Sequence, residues 1–256
     1  MKLKVTLAQF YPKLGNIEEN IKRHLEIINK KKSITQLLIF PELSLTGYNL
    51  MDLTLDVAQR KDSHSLLPLL KASKDIGIIV GLVELGNDGF LYNSAFYYYG
   101  GTLSHIYHRM SSSYTIDTIF GKIGLIICED ALDPTVMSLL TQDGVKILII
   151  LSNSISYGFN PDQGIPKSAS IWHTLTSIYA QVYSCYVIYV NRVGFEDGLN
   201  FWGGSHIVNP RGEIVIQCPY YDEAILDVEL DLDLIQVARV TDPYLREKIQ
   251  RLGDVR

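Results

Sequence analysis

The sequence predicts a mixed α/β fold whose sheets are covered by helices. Short apolar runs typical of buried strands alternate with amphipathic segments typical of helices, and turn signals insert hairpins into that alternation. The 256 residues are 47% hydrophobic and 20% charged, which is an ordinary globular balance with enough apolar material for a sizeable core. Because no low-complexity tract or long linker interrupts the pattern, we expect one domain over residues 1–256.

The first half of the chain opens with a strand and a helix. Leu3, Val5 and Leu7 alternate with polar residues, which predicts a half-buried strand that runs to residue 10. Apolar residues at three- and four-residue spacing, followed by lysines, predict an amphipathic helix over residues 17–32. The remaining elements of this half are predicted as a strand at 37–40, a helix at 65–76 and strands at 78–83, 91–99 and 103–107.

The second half repeats the alternation around an apolar run at residues 123–127. That run opens after Gly121 and ends abruptly at Cys128, so it predicts a buried strand that delivers a thiol to a sheet edge. The turn at residues 209–212 predicts a hairpin. The other predicted elements are helices at 134–142 and 168–185, strands at 147–151, 186–190, 203–208, 213–217 and 224–230, and a charged helical tail from about 231.

Charge and cysteine content exclude several classes of protein. A net charge of −5 argues against nucleic acid or an acidic membrane surface as a partner. Cys128, Cys185 and Cys218 are odd in number and show no CxxC spacing, so we expect neither a disulfide framework nor a metal site, but a reducing, cytoplasmic setting. No run approaches the roughly 18 apolar residues of a membrane-spanning helix, so we expect no membrane partner.

Four predicted strands end beside a side chain that can do chemistry. These side chains are Glu42, Arg109, Cys128 and Asn153. Because ligands of α/β proteins bind outside the carboxyl ends of strands, the four could meet in one crevice. A thiol nucleophile, a carboxylate base and a cation beside an oxyanion are the groups that acyl transfer requires.

Several segments together resemble the nitrilase, or carbon–nitrogen hydrolase, superfamily over almost the whole chain. They are Pro41-Glu42-Leu43 with Thr46-Gly47-Tyr48, Gly81 to Glu84 with Tyr92-Asn93-Ser94-Ala95, Ile127-Cys128-Glu129-Asp130, and Gly203-Gly204-Ser205 before a Pro-Arg-Gly turn. The resemblance implies an α-β-β-α sandwich, a Glu-Lys-Cys triad, no cofactor, and assembly as a homodimer or a larger homo-oligomer.

The resemblance also implies roles for individual residues. Cys128 matches the nucleophile, Glu42 the general base and Glu84 a supporting glutamate, while the backbone N–H of Glu129 would help form the oxyanion hole and Asn153 would line the substrate pocket. The Ile-Cys-Glu-Asp segment looks most like those of amidases and of the glutaminase domain of NAD synthetase. Since no Ser-Gly-Gly pyrophosphate loop follows, we expect no synthetase half here. The predicted activity is hydrolysis of a small amide through a thioester.

Two departures from the superfamily pattern leave alternatives open. Arg109 stands at the lysine position, and Gly121 follows only 12 positions later, where the superfamily carries a longer loop with a second glutamate. Either this loop has been lost or residues are absent from the sequence. The alternatives to amide hydrolysis are therefore a catalytically impaired binding or assembly protein, and acyl transfer to an amine.

Other candidate residues have a structural interpretation. Cys185 and Cys218 are expected in the core, and Glu129 and Asp130 as charges at a helix start. Trp172 and His173 lie on a helix with apolar spacing, which favours core packing over contact with substrate.

Overall fold

The computed structural model describes residues 1–111 and 114–241, and two six-stranded sheets dominate this part of the chain. The strands are β1 Lys2–Gln9, β2 Leu37–Ile39, β3 Gly77–Leu85, β4 Leu91–Tyr99, β5 Thr102–His108, β6 Thr115–Thr118, β7 Gly121–Ile127, β8 Ile147–Ser152, β9 Tyr186–Asn191, β10 Val193–Glu196, β11 Leu199–Trp202, β12 His206–Val208, β13 Ile214–Gln217 and β14 Ala224–Asp231. The helices are α1 Ile17–Lys31, α2 Thr54–Val57, α3 Leu67–Ala72, α4 Pro134–Gln142, α5 Lys167–Tyr183 and α6 Asp233–Thr241.

The two sheets are built alike. The first has the order β14-β1-β2-β3-β4-β5 and the second the order β13-β12-β9-β8-β7-β6. In each, a central parallel trio, β1-β2-β3 or β7-β8-β9, is extended by antiparallel strands toward both edges. The parallel centre explains why β2, β3, β7, β8 and β9 are largely apolar, since such strands are buried on both faces.

The apolar side chains form layers. Residues of both sheets, such as Leu7 and Ile149, share one core cluster with residues of α4 and α5, such as Leu140. A second cluster packs Ile28 of α1 and Leu69 of α3 against the opposite face of the first sheet. The predicted mixed α/β fold with helices covering the sheets is therefore confirmed, in the α-β-β-α order.

Some predicted boundaries are wrong. Residues 65–76 do not form one helix, because a 3₁₀ turn at His64–Leu66 precedes α3, which ends at Ala72 and leaves a short connection to β3. Residues 203–205 lie outside a strand, since Gly203 adopts φ +71° and a Cβ there would lie 2.5 Å from Val193 Cγ1. The short strands β6, β10 and β11 were not predicted.

The predicted helical tail packs on the domain as far as Thr241. Ile235 and Ala238 of α6 are buried, and Arg239 donates from Nη2 to the carbonyl of Val145 at 2.8 Å. Residues 242–256 lie outside the described residues. Within residues 1–111 and 114–241, no helix has the length and apolar character needed to cross a membrane.

Candidate functional site

The four chemically capable residues at predicted strand ends line one cavity of about 300 Å³. Glu42 follows β2 and Arg109 follows β5 in the first sheet, whereas Cys128 follows β7 and Asn153 follows β8 in the second. The cavity therefore lies where the strand ends of both sheets meet. Glu129 also lines it, next to the thiol. The structure brings these five residues together, and their chemical roles stay predictions.

Cys128 is the turning point between β7 and a 3₁₀ turn, Cys128–Leu132. Its φ of +47° is in the left-handed region that residues other than glycine rarely adopt, and such strain is characteristic of functional sites. Its Sγ lies 3.5 Å from Ser152 Oγ. Burial raises the pKa of the Cys128 thiol, and the negative charge of Glu42 raises it further. The thiol is therefore neutral at rest and needs a base to ionise.

Glu42 is placed to be that base. It is only 2% exposed, and its Oε1 accepts a hydrogen bond of 2.7 Å from the amide of Asn93. Burial raises its pKa to about 7, although Asn93, the charge of Arg109, the backbone N–H of Asn153 and the Cys128 thiol all favour the carboxylate form. Its other oxygen, Oε2, is buried and has no hydrogen bond of ordinary geometry to any described residue. That oxygen is available to exchange a proton.

Arg109 forms an ion pair with Glu129 at the mouth of the cavity. The side chain of Glu129 is 65% exposed, so the pair lies at the surface end of the site. The backbone N–H of Arg109 donates to the carbonyl of Asn93 at 2.9 Å. Arg109 is thereby held beside the residue whose side-chain amide bonds Glu42. The guanidinium charge thus reaches the cavity while it is shared with Glu129.

Asn153 offers a hydrogen-bonding amide inside the cavity. The residue is 3% exposed, and neither its Oδ1 nor its Nδ2 bonds to another described residue. A buried polar group without a partner is costly, so it is a natural contact for a polar ligand. Glu129 is the second residue of the 3₁₀ turn, whose first backbone N–H groups lack partners within the turn. Together these groups could bind an amide oxygen.

Glu84 does not line the cavity but braces strands that do. Its Oε2 accepts from Ser94 Oγ at 2.7 Å and contacts His108 Nε2 at 2.8 Å, which ties β3 to β4 and β5 just before Arg109. Asp130 lies in the first turn of the 3₁₀ helix, as predicted, and it also makes a structural contact. It is buried and accepts from the Tyr107 hydroxyl at 2.6 Å, so it ties β5 to the turn that carries the nucleophile.

Three aromatic residues that were not individually predicted to line the site do so, namely Tyr48, Tyr157 and Trp172. Tyr48 is held there because Glu196 Oε1 accepts from its backbone N–H at 2.9 Å, and Glu196 is itself paired with buried Arg192 at 2.8 Å. Trp172 is buried, as expected, but also lines the cavity, whereas His173 packs against Trp202 and is not among the lining residues. The Thr-Gly-Tyr segment signals Tyr48, but no local pattern signals Glu196.

No described residues form a cluster of three or more His, Cys, Asp or Glu that could hold a metal ion. The three cysteines are free thiols, and Cys185 and Cys218 are buried as predicted. Among the titratable groups in the cavity, Glu42 and Cys128 are the two whose pKa values are displaced most clearly by burial. The arrangement suits transfer of a proton between a thiol and a carboxylate.

Comparison with known proteins gives a consistent result. Residues 4–240 match the family model described as Carbon-nitrogen hydrolase. The chain is 31% identical over 248 residues to the glutamine-dependent NAD(+) synthetase of Acinetobacter baylyi, covering 90% of this chain and 44% of that protein. It is 28% identical to the (R)-stereoselective amidase of a Pseudomonas species, covering 96% and 91%.

A solved structure shares the architecture. Nit3 of Saccharomyces cerevisiae, a member of branch 10 of the nitrilase superfamily, superimposes with a TM-score of 0.82 at 25% identity and covers 94% of each chain. The present chain spans a little under half the length of the NAD(+) synthetases that it matches.

Proposed function

Because this chain belongs to the carbon–nitrogen hydrolase family, we propose that it hydrolyses a small linear amide to a carboxylate and ammonia through a thioester on Cys128. The observation that carries the proposal is the pairing of the Cys128 thiol with the Glu42 carboxyl in one cavity. A base whose pKa is about 7 is half ionised at neutral pH, where it can both accept and return a proton.

The proposed reaction uses the free Oε2 of Glu42 as its proton carrier. Glu42 takes the thiol proton as Sγ attacks the amide carbon, which forms a C–S bond and an oxyanion. The oxyanion collapses, the C–N bond breaks, and Glu42 returns its proton to the departing ammonia. Water then attacks the thioester while Glu42 accepts its proton. As the C–S bond breaks, Glu42 returns that proton to the sulfur, which restores the thiol, and the released acid ionises to the carboxylate.

The backbone N–H of Glu129 and the Arg109 cation would stabilise the oxyanion, because fixed donors and charges in a site shielded from water act strongly on a developing charge. In the structure the cation is engaged with Glu129. This engagement favours the second candidate, a catalytically impaired binding or assembly protein. Acyl transfer to an amine is a third outcome, since it uses the same thioester and differs only in the attacking nucleophile.

Glutamine is the first substrate to test. The relatives that share the family domain include several NAD(+) synthetases named as glutamine-dependent. A cavity of about 300 Å³ suits a small amide, and the unpartnered amide of Asn153 supplies a contact for a polar substrate. The free thiols support the further proposal of a reducing, cytoplasmic setting.

The test measures ammonia release from glutamine, asparagine, short ω-amides and simple aliphatic amides. We expect turnover with at least one of them, none with Cys128→Ala, and an acyl adduct on Cys128 in quenched intact-protein mass spectra. Cys185→Ala is the matched control because that thiol is buried in the core. An adduct that gives a new amide as its product, and no carboxylate, would indicate transfer to an amine. Absence of both ammonia and adduct would favour the impaired protein.

A further inference from the structure

A chain of buried hydroxyl groups extends from the nucleophile into the protein. Ser152 Oγ is 3.5 Å from Cys128 Sγ, and the Tyr189 hydroxyl donates to Ser152 Oγ at 3.0 Å. Ser152 and Tyr189 are completely buried and do not line the cavity. Ser152 therefore contacts the sulfur, and Tyr189 contacts Ser152, without entering the space that a substrate would occupy.

The chain continues to a tryptophan. Trp172 Nε1 donates to Ser154 Oγ at 3.0 Å, and the Ser154 hydroxyl interacts with the Tyr189 phenol. Trp172, Ser154 and Cys128 all line the cavity, so the chain leaves the site at Trp172 and returns to it at the thiol. Four side chains from β8, the residues that follow it, α5 and β9 thus form one polar path.

The direction of this path is determined at its far end. An indole N–H can only donate, so the oxygen of Ser154 accepts and its own hydrogen is free for the phenol oxygen of Tyr189. Tyr189 in turn donates to Ser152, whose hydrogen is left for the sulfur. The hydroxyl hydrogens of the path are therefore available in the direction of Cys128.

We propose that Ser152 is a catalytic hydrogen-bond donor to the Cys128 thiolate, and that Tyr189, Ser154 and Trp172 are positioning residues that fix the direction of its hydrogen. This proposal rests on the proposed function, because it assigns the donor to the proposed nucleophile. No proton leaves the path during the reaction. When Glu42 takes the thiol proton, the Ser152 hydroxyl keeps its hydrogen and donates it to the new negative charge.

The path also orients the thiol before it ionises. When Ser152 donates to the sulfur, the thiol hydrogen is left for Glu42, with which the thiol interacts. The other charged or titratable groups that act on Cys128 are Arg109, Tyr48 and Tyr189. Of these groups Arg109 favours the thiolate, and the Ser152 hydrogen bond favours it as well.

The experiment measures the rate of iodoacetamide labelling of Cys128 against pH by mass spectrometry of the full chain. Loss of one hydrogen-bond donor to a charged acceptor changes the ionisation equilibrium of the thiol about tenfold. Ser152→Ala should therefore raise the pH of half-maximal labelling by about 1 and slow labelling at neutral pH about tenfold. Tyr189→Phe should move the midpoint in the same direction by less. Ser152→Thr keeps the hydroxyl and should restore the wild-type midpoint.

Two buried hydroxyls elsewhere provide matched controls. Ser73→Ala removes a fully buried hydroxyl that donates to the carbonyl of Leu70, and Tyr98→Phe removes a buried phenol with no partner among the described residues. Both should leave the midpoint unchanged. If Ser152→Ala and Tyr189→Phe lower the melting temperature but keep the wild-type midpoint, the path is only structural and the inference is overturned.

The same labelling separates failure of the inference from failure of the proposed function. If wild-type Cys128 labels no faster than Cys185 and Cys218, the thiol is not a nucleophile and the proposed function fails. If Cys128 labels first but Ser152→Ala matches Ser73→Ala in its pH profile, only the donor role is wrong. Should Ser152→Ala fail to fold, Ser152→Thr and Tyr189→Phe still give opposite expected results.

Discussion

Replacing Glu42 with glutamine should stabilise the protein above neutral pH while it removes the proposed base. Glu42 is 2% exposed and burial raises its pKa from 4.5 to about 7, so the folded chain holds this proton more tightly than the unfolded chain does. The stability that the bound proton contributes is complete below pH 4.5 and is lost as the pH rises through 7. An ionised Glu42 is therefore a cost to the fold that a neutral glutamine avoids.

The magnitude follows from the two pKa values. At about 1.4 kcal/mol per pH unit, the displacement from 4.5 to about 7 corresponds to roughly 3 kcal/mol at pH 8 and to about 1 kcal/mol at pH 5. Roughly 3 kcal/mol is about 6–12 °C in the melting temperature of a chain this size. Thus Glu42→Gln should melt well above the wild type at pH 8 and close to it at pH 5.

The assay is urea or thermal unfolding of wild type, Glu42→Gln and Cys128→Ala at pH 5 and pH 8. Cys128→Ala keeps the buried carboxyl group, so it should retain the wild-type dependence of stability on pH. If Glu42→Gln has the same advantage over wild type at both pH values, or none, the pKa of Glu42 is not raised by burial. The same variant should slow turnover by about 10²- to 10⁴-fold, the usual effect of losing a general base.

Three other changes test the site. Asn93→Ala removes a donor to the Glu42 carboxylate, so the acid limb of the pH–rate profile should move up by about 1 pH unit, whereas the neighbouring Ser94→Ala should leave it in place. Arg109→Met should lower kcat by about 10²-fold and Arg109→Lys should retain most of it, because a cation beside the oxyanion is required; equal kcat in steady-state kinetics for both would contradict that role. Asn153→Ala should raise KM about tenfold without lowering the melting temperature, since its amide lacks a partner among the described residues; an unchanged KM would exclude substrate contact.

The sequence predicts the sheets well where the signal is local. The central strands β7, β8 and β9 are recognisable because they are almost continuously apolar, and α1 because its apolar spacing and its lysines agree. The short strand β6 carries no such signal, since Thr115–Thr118 alternates weakly and gains its order from pairing with β7. Its presence shows that the segment between Arg109 and Gly121 includes an edge strand.

The candidate site likewise has residues that the local sequence predicts and contacts that it does not. Glu42, Arg109, Cys128 and Asn153 each lie within three residues of a strand end, so the rule that strand ends share an edge groups the two residues of each sheet. The packing of the two sheets then brings the pairs together. The contacts that tune the site join residues far apart in sequence, and no periodicity reveals them. The Ser152–Tyr189 and Tyr48–Glu196 hydrogen bonds span 37 and 148 positions.

The β10–β11 hairpin positions one wall of the cavity through contacts made outside the cavity. Glu196 of β10 accepts the backbone N–H groups of Tyr48 and Asn49, and Arg192 secures Glu196 by an ion pair over the ring of Phe201. The loop that presents Tyr48 is thus positioned by an element with its own turn and its own pairing. For protein engineering this hairpin is an exchangeable cassette: altering it would reshape substrate preference while every residue proposed for the chemistry is left untouched.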